Sequence, residues 1–148
     1  ALGDFNGDGR LDLAAGGGGQ LAQWLQSSGG GFAAPGLSVF GDPRFDFAAA
    51  SGLAALAVDL DRDGRQDFVS VSSARRSVLV IPGRSGGLDP SALLELDLGP
   101  GADPRQLAAV DSDRDGDLDL WIADAGNGAL RLWRGLPGGA FEPATALD

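Results

Sequence analysis

A nine-residue acidic loop occurs three times in this 148-residue chain. Each copy has an oxygen-bearing side chain at positions 1, 3, 5 and 9 and a glycine at position 6. The copies span residues 4–12, 59–67 and 111–119, so their first residues lie 55 and 52 positions apart. A motif that returns at a near-constant spacing indicates a repeated structural unit. The loops therefore constrain both the fold and the chemistry of the chain.

The donor atoms of the loops are those that calcium prefers. Calcium takes six to eight oxygen ligands at about 2.3–2.6 Å in a tolerant geometry, and a glycine at position 6 permits the sharp turn that such a loop needs. We therefore predict three Ca²⁺ sites, with position 7 of each loop contributing its backbone carbonyl. The predicted ligands are Asp4, Asn6, Asp8, Arg10 and Asp12 in loop 1; Asp59, Asp61, Asp63, Arg65 and Asp67 in loop 2; and Asp111, Asp113, Asp115, Asp117 and Asp119 in loop 3.

A metal-free acidic turn is the alternative interpretation, because Asp, Asn and Gly favour turns in any case. Carboxylates about 5 Å apart repel by roughly 1–3 kcal/mol per pair, which disfavours an ordered loop without a cation. An EF-hand is excluded because position 12 is Ala15, Ser70 or Ile122 instead of the bidentate Glu. Magnesium is disfavoured by its strict octahedral geometry, and softer metals by the absence of His and Cys.

The charge of the chain follows from the loops. The formal net charge is −10, and 11 of the 21 acidic residues are predicted to bind metal through their side chains. Three bound Ca²⁺ ions would reduce the charge to about −4, so the acidity reflects metal sites. A negative chain is a poor nucleic-acid partner, and no apolar run reaches the 18 or so residues of a membrane span. We expect neither nucleic-acid binding nor membrane insertion.

Short apolar runs follow the same order around each loop. One run leads into the loop, one follows it directly, and two more come after glycine-rich or polar turns, which is the pattern of antiparallel strands. The leading runs are 54–58 and 107–110, with a stub before loop 1. The second runs are 11–15, 67–71 and 118–122; the third are 21–25, 78–81 and 130–133; the fourth lie around 37–40, 93–96 and 144–147.

Four strands per unit at a period near 50 residues are typical of a propeller blade. We predict an all-β fold, a β-propeller-type array of three four-stranded antiparallel blades, in a single repeat array over residues 1–148. The units are 1–52, 53–104 and 105–148. Six aromatic residues are predicted to pack between blades: Trp24, Phe32, Phe68, Trp121, Trp133 and Phe141.

The loops and their setting resemble the FG-GAP/VCBS repeat, the calcium-binding blade also found in integrin α-subunit propellers. Residues 3–13 show the resemblance most plainly, and it extends over all three units. The resemblance implies that each loop joins the first two strands of a blade and that the metals are structural. It also implies a secreted or cell-surface protein that acts in adhesion, in protein or glycan binding, or as a scaffold.

Three blades do not close a ring, because closed propellers typically have four to eight. The partial propeller is expected to be completed by further blades of a longer precursor or by a homo-oligomer, for which two copies and six blades are the simplest option. An open stacked array in a fibre is the third possibility.

The leading functional hypothesis is a non-enzymatic extracellular module in which Ca²⁺ stabilises the blade hairpins and the blades present a surface to a protein or glycan ligand. A structural repeat of a surface filament or adhesin stalk is the alternative. The chain has no His, Cys, Lys or Tyr, which removes most nucleophiles and general bases. A non-catalytic part of a carbohydrate-active enzyme is therefore the less favoured alternative.

Overall fold

The computed structural model describes residues 1–17, 20–32, 37–40, 55–143 and 145–147, with the backbone alone for 37–40. The C-terminal part of the predicted first unit, from residue 41 to 52, lies outside these residues. Among them, no helix has the length and apolar composition to cross a bilayer.

Three four-stranded antiparallel sheets form the fold. Each has its strands in chain order, as expected when neighbouring strands are joined by hairpins. Sheet 1 contains β1 (Leu2–Gly3), β2 (Asp12–Gly17), β3 (Gln20–Trp24) and β4 (Leu37–Phe40). Sheet 2 contains β5 (Ala55–Val58), β6 (Asp67–Ser72), β7 (Ser77–Ile81) and β10 (Leu94–Asp97). Sheet 3 contains β11 (Pro104–Val110), β12 (Asp119–Asp124), β13 (Ala129–Trp133) and β16 (Thr145–Leu147).

A short hairpin stands between the third and fourth strands of sheets 2 and 3. It consists of β8 (Gly83–Arg84) with β9 (Gly87–Leu88), and of β14 (Gly135–Leu136) with β15 (Ala140–Phe141). In sheet 1 a single bridge between Gln26 and Phe32 takes its place. A 3-10 turn over Pro90–Ala92 follows in sheet 2. Sequence reasoning placed turns here but missed their pairing, although each turn carries Gly-Gly before a large apolar residue.

The four-stranded, all-antiparallel prediction is confirmed for the described residues, including the two-residue stub of β1. The period-2 alternation of β6 and β7 explains how the sheets pack, because successive side chains point to opposite faces. Phe68, Leu79 and Ile81 face sheet 1, whereas Val69 and Val71 face sheet 3 with the valines of β7. The two inner strands of the central sheet, β6 and β7, are buried along their whole length.

Two apolar clusters hold the sheets together. One, between sheets 1 and 2, is built on Phe5, Leu21 and Phe68. The other, between sheets 2 and 3, is larger and includes Leu120 and Ile122. Full burial of such a side chain contributes about 1.5–3 kcal/mol, so the two clusters are the main source of stability.

The predicted aromatic packing holds for three of the six residues. Phe68 is fully buried between sheets 1 and 2, and Trp133 and Phe141 pack against the cluster between sheets 2 and 3. The prediction for Phe32 is wrong, since this side chain is 46% exposed. Its strand is reduced to one bridge, so it projects from a turn instead of a sheet.

A buried carboxylate fixes the β12–β13 turn, at the opposite end of sheet 3 from its acidic loop. Asp124 accepts hydrogen bonds from Asp103 N (2.8 Å), Asn127 Nδ2 (2.8 Å) and Arg131 Nε (2.8 Å). Burial alone would raise the pKa of Asp124, but these donors favour its charged form and the pKa is lowered to about 2. The carboxylate stabilises the fold in its ionised state.

We predict that Asp124→Asn makes the free energy of unfolding less dependent on pH at acid pH. The folded pKa lies below the ordinary value of about 3.9, so the stabilisation is complete above about pH 4 and is lost as pH falls toward 2. The charged group is worth on the order of 2 kcal/mol at neutral pH. Urea unfolding at several pH values measures this, with Glu142→Gln, an exposed acid, as the matched control. Parallel pH profiles for wild type and Asp124→Asn would contradict it.

Candidate metal loops

The three acidic loops lie at one end of the molecule, where each joins the first two strands of its sheet. Loop 1 connects β1 to β2, loop 2 connects β5 to β6, and loop 3 connects β11 to β12. Because all three sheets are antiparallel and ordered alike, the equivalent connections fall on the same side. Each loop therefore joins the first two strands of its sheet, as the family resemblance implied.

The aspartate at position 9 of each loop is buried and accepts two backbone amides. In loop 2, Asp67 Oδ2 accepts from Leu60 N (2.9 Å) and Oδ1 from Gly83 N (2.9 Å). One amide belongs to position 2 of the loop, and the other opens the short hairpin that follows the third strand. The carboxylate therefore joins the loop to the body of its sheet. The same two bonds recur for Asp12 with Phe5 and Gln26, and for Asp119 with Ser112 and Gly135.

The pKa shifts of these three carboxylates differ, although burial acts to raise each of them. Burial raises the pKa of Asp67 to about 6 and also raises the pKa of Asp12, because a charged group loses solvation. Burial acts on Asp119 as well, but hydrogen bonds from the Ser112 hydroxyl and from two amides outweigh it, so the Asp119 pKa is lowered. Phe5 and Leu60, at the position of Ser112, have no hydroxyl to donate.

The side-chain oxygens at positions 1, 3 and 5 accept hydrogen bonds from backbone amides further along the same loop. Asp59 Oδ1 and Oδ2 accept from Asp63 N (3.1 Å) and Gly64 N (2.9 Å). Asp61 accepts from Asp63 N (3.2 Å), and Asp63 from Arg65 N (2.9 Å). The pattern recurs in loops 1 and 3. These local side-chain bonds to the backbone give each loop its turn geometry before any cation is considered.

The backbone is left-handed at two positions of every loop. The glycines at position 6 have φ of 82°, 84° and 94°, which confirms the predicted reason for that residue. Position 4 is left-handed as well, at Gly7, Arg62 and Arg114, with φ of 77°, 59° and 67°. The sequence analysis did not predict the left-handed backbone at position 4, although the glycine at that position in loop 1, Gly7, indicates it.

Two of the loops bring three carboxylates together. Oxygens of Asp59, Asp61 and Asp67 lie within 4.8 Å of one another, and so do those of Asp111, Asp113 and Asp115 at the other site. Two ligands of one Ca²⁺ at about 2.3–2.6 Å from the ion are separated by no more than about 5 Å, so both groups fit a shared cation. The donor set, which is entirely oxygen, suits a hard cation.

The other predicted acidic ligands have arginine, amide or hydroxyl partners. Asp63 pairs with Arg65 and with Arg84 Nη1 (3.3 Å), and Asp119 is engaged by Ser112. In loop 1 no acidic triad meets within the described part of the chain, since Asp8 pairs with Arg10 and accepts from Asn6 Nδ2 (2.9 Å). The sequence pattern identified every acid but not its arginine partner, because Arg84 and Arg134 lie some 20 residues further along the chain.

Comparison with known proteins agrees with this geometry. The family model of the FG-GAP-like repeat matches residues 4–70 and again 59–122. The chain belongs to the FG-GAP-like repeat family. A search of the curated proteins finds no match.

Among solved structures, this FG-GAP-like chain is similar to an Agrocybe aegerita lectin that recognises non-reducing terminal N-acetylglucosamine. The similarity has a TM-score of 0.65 at 17% identity and covers the whole chain, but only 38% of the lectin chain. At that identity the likeness concerns the fold alone. The described FG-GAP-like chain therefore has the sheet arrangement of part of a larger lectin.

Contacts between neighbouring FG-GAP loops link the sheets at this end. Asp4 N donates to Gln66 Oε1 (3.1 Å), and Gln66 N donates to Asp4 O (2.8 Å), which joins loop 1 to loop 2. Arg62 Nη2 lies 3.2 Å from Asp117 Oδ1, which joins loop 2 to loop 3. A Cβ on Gly139 would lie 3.0 Å from the Cβ of Asp61, so the turn of the β14–β15 hairpin also approaches loop 2 closely. These contacts link each loop to its neighbour.

We predict that Gly64→Ala destabilises the protein by about 1–2 kcal/mol, the ordinary strain of a left-handed alanine. A Cβ at Gly64 meets nothing within 4 Å, so the effect isolates backbone strain from packing. Gly86→Ala is the matched control, because it also meets nothing and needs no positive φ. Urea unfolding of the two variants checks this, and equal stabilities would refute the assigned backbone geometry.

Proposed function

We propose that this chain is a non-enzymatic, extracellular, calcium-stabilised segment of a β-propeller that presents a binding surface to a glycan or protein. The observation that carries the metal assignment is the pair of carboxylate triads in loops 2 and 3, with oxygens within 4.8 Å of one another. Membership of the FG-GAP-like family and the lectin-like fold support the binding role.

Each loop would hold its ion with the residues predicted from the sequence. In loop 2 these are the side chains of Asp59, Asp61, Asp63 and Asp67, with the carbonyl of Arg65. Calcium, when bound, would supply positive charge and cross-links among oxygens that otherwise repel. The buried Asp67 would gain most, since its charged form is the one that burial disfavours.

Calcium is proposed to act on the sheet contacts through the loops. Loop 2 contacts loop 1 through Gln66 and loop 3 through Arg62, so an ordered loop 2 supports both neighbours. The proposed role of the metal is therefore structural, at the end opposite a ligand surface. Three bound ions would also remove most of the net charge of −10.

We predict that calcium raises the melting temperature and that Asp61→Ala removes about one third of this rise. Ligand binding to the folded state alone adds about 2.7 kcal/mol per site at 100 times the Kd. Asp61 contributes little to the metal-free fold, because the bonds that it accepts from the described residues are long, 3.2 Å from Asp63 N and 3.5 Å from Arg84 Nη1. In chelator, Asp61→Ala should therefore melt no lower than wild type, because it also removes one of the three neighbouring carboxylates that repel one another without a cation.

Asp67→Ala is the contrasting variant for that experiment. It leaves the buried amides of Leu60 and Gly83 without their acceptor, which costs at least about 1 kcal/mol in calcium and in chelator alike. Calorimetric melting with excess calcium, with excess magnesium and with chelator separates the two effects. Identical wild-type curves in calcium and chelator would refute the calcium assignment.

The proposed ligand surface is the end of the sheets opposite the loops. A pocket of about 560 Å³ opens there in sheet 2, within the usual size of a small-ligand site. Arg75 and Glu95 form a bidentate pair with both contacts at 2.7 Å, and Arg76 and Asp97 complete a polar lining. Such a lining suits the hydroxyl groups of a saccharide or polar groups of a peptide.

We predict that Arg76→Ala and Asp97→Asn weaken ligand binding by about tenfold without changing the melting temperature in calcium. Both side chains lie at the surface, Asn keeps the oxygen that accepts from Gly99 N (2.8 Å), and a lost polar contact is worth about 1.5 kcal/mol. Glycan and peptide arrays probed with the calcium-loaded protein identify the ligand, and Glu142→Gln serves as a surface control. A ligand whose binding is equal for all variants would place the surface elsewhere.

The described acids support a role without catalysis. A general acid needs a carboxyl whose pKa is raised toward neutrality. Arg75 and the Ser77 hydroxyl instead lower the pKa of Glu95, and hydrogen bonds from Ser91 lower that of Asp89. Asp12 and Asp67 have raised pKa values, but each belongs to an acidic loop and accepts two backbone amides.

A further inference from the structure

An arginine from outside the loop contacts the carboxylate at position 3 of loops 2 and 3. Arg84 Nη1 lies 3.5 Å from Asp61 Oδ2, and Arg134 Nη1 lies 2.6 Å from Asp113 Oδ2. Asp61 and Asp113 each belong to the carboxylate triad of their loop. Each arginine therefore places a positive charge beside a group that is proposed to bind Ca²⁺.

The buried aspartate at position 9 fixes where these arginines lie. In loop 2, Asp67 accepts the amide of Gly83 (2.9 Å), and Arg84 is the next residue of the chain. In loop 3 the amide held in this way is that of Gly135 (2.9 Å), and Arg134 immediately precedes it. The bond that joins the short hairpin to the loop therefore also brings a cation to position 3.

Loop 1 has neither the acid nor the arginine. Its third residue is Asn6, which donates to Asp8 Oδ2 within the loop (2.9 Å). The amide held by its ninth residue is that of Gln26 (2.8 Å), and the neighbours of Gln26 are Leu25 and Ser27. An arginine thus flanks the anchored amide in the two loops whose third residue is an acid, and not in the loop whose third residue is neutral.

Arg84 also borders the space beside the loop 2 triad. Asp61, Asp67 and Arg84 line a cavity of about 140 Å³. The same guanidinium lies 3.3 Å from Asp63 Oδ2, so it contacts two of the predicted ligands of this loop. Its side chain is 42% exposed, and water is therefore available to it if it leaves the carboxylates.

We propose that Arg84 and Arg134 are built-in counter-cations that set the calcium affinity of loops 2 and 3. In the metal-free chain, each guanidinium offsets part of the repulsion among the carboxylates of its triad. When an ion binds, the arginine and the ion compete for the same carboxylate. The arginines therefore stabilise the empty loops and weaken calcium binding. This inference rests on the proposed binding of calcium by the loops.

The competition is large enough to measure. A divalent ion and a guanidinium about 6 Å apart repel enough, at the dielectric of water, to weaken binding about tenfold. Since the ion pairs are partly exposed, their effect on the metal-free melting temperature is small, about 2–4 °C at most. An arginine that served only the hairpin, through the bond of Arg84 Nη1 to Gly83 O (2.8 Å), would instead stabilise the empty and the filled chain alike.

The first experiment measures the overall association constant for all the calcium ions that the chain binds, by titration against a chromophoric chelator. Arg84→Gln and Arg134→Gln should each raise this constant about tenfold, and the double variant about 100-fold. The overall constant does not depend on which loop fills first. Arg105→Gln is the matched control, because Arg105 is 50% exposed and pairs with Asp103, which is not a predicted ligand. It removes the same charge and should bind calcium like wild type.

Melting in chelator is the second readout. Arg84→Gln and Arg134→Gln should each melt up to about 4 °C below wild type without calcium, and no lower than wild type in excess calcium. Arg84→Lys keeps the charge and should restore the wild-type affinity to within about threefold. A loss of stability that is equal in calcium and in chelator, with no gain in affinity, shows a purely structural arginine and overturns the proposal.

The outcomes separate this inference from the calcium assignment itself. Calcium binding of equal affinity by wild type and by both glutamine variants overturns the role of the arginines and leaves the calcium sites in place. An equal gain for Arg105→Gln assigns the effect to net charge and also overturns it. A wild-type chain that binds no calcium at millimolar concentration overturns both the inference and the proposed function.

Discussion

The fold depends on one repeated interaction, the buried carboxylate at the ninth position of each acidic loop. Asp12, Asp67 and Asp119 each join an amide of their own loop to an amide beyond the third strand. A buried charge is tolerated only when it is well bonded, because desolvation disfavours the ionised form. The same oxygens belong to the predicted metal ligands. The residue that fixes the local fold is therefore also one of those proposed to bind the cation.

The position of the loops makes this local interaction important for the whole molecule. Each sheet buries at least one face against a neighbour, and the central sheet buries both. The loops of adjacent sheets are also linked, through Gln66 on one side and Arg62 on the other. Apolar packing supplies most of the stability, while the loops determine how the sheet edges meet. In the proposed function, the binding surface at the far end would rest on a framework that bound calcium would stabilise.

Much of the fold follows from the sequence because its signals are local and repeated. Short apolar runs such as 67–71, separated by turn residues, predict strands, and the glycine at position 6 predicts the left-handed turn that Gly64 adopts. What the sequence could not reveal depends on contacts between distant residues. The approach of Arg84 to Asp63 and the second anchoring bond of Asp67 to Gly83 are examples. The prediction that Phe32 is buried was wrong for the same reason, because its burial depended on a strand that is reduced to one bridge.

The predicted ligand sets as a whole, with three carbonyl and twelve side-chain donors, remain a prediction from the loop pattern. Two of the three loops show carboxylate triads, and loop 1 shows Asn6 and an arginine pair instead. Equilibrium dialysis of the purified chain against radioactive calcium is the most direct test of the account. The account predicts saturation at three ions per chain, with loop 1 filling last because Asn6 lowers its charge. Failure to bind any calcium at millimolar concentration would contradict it.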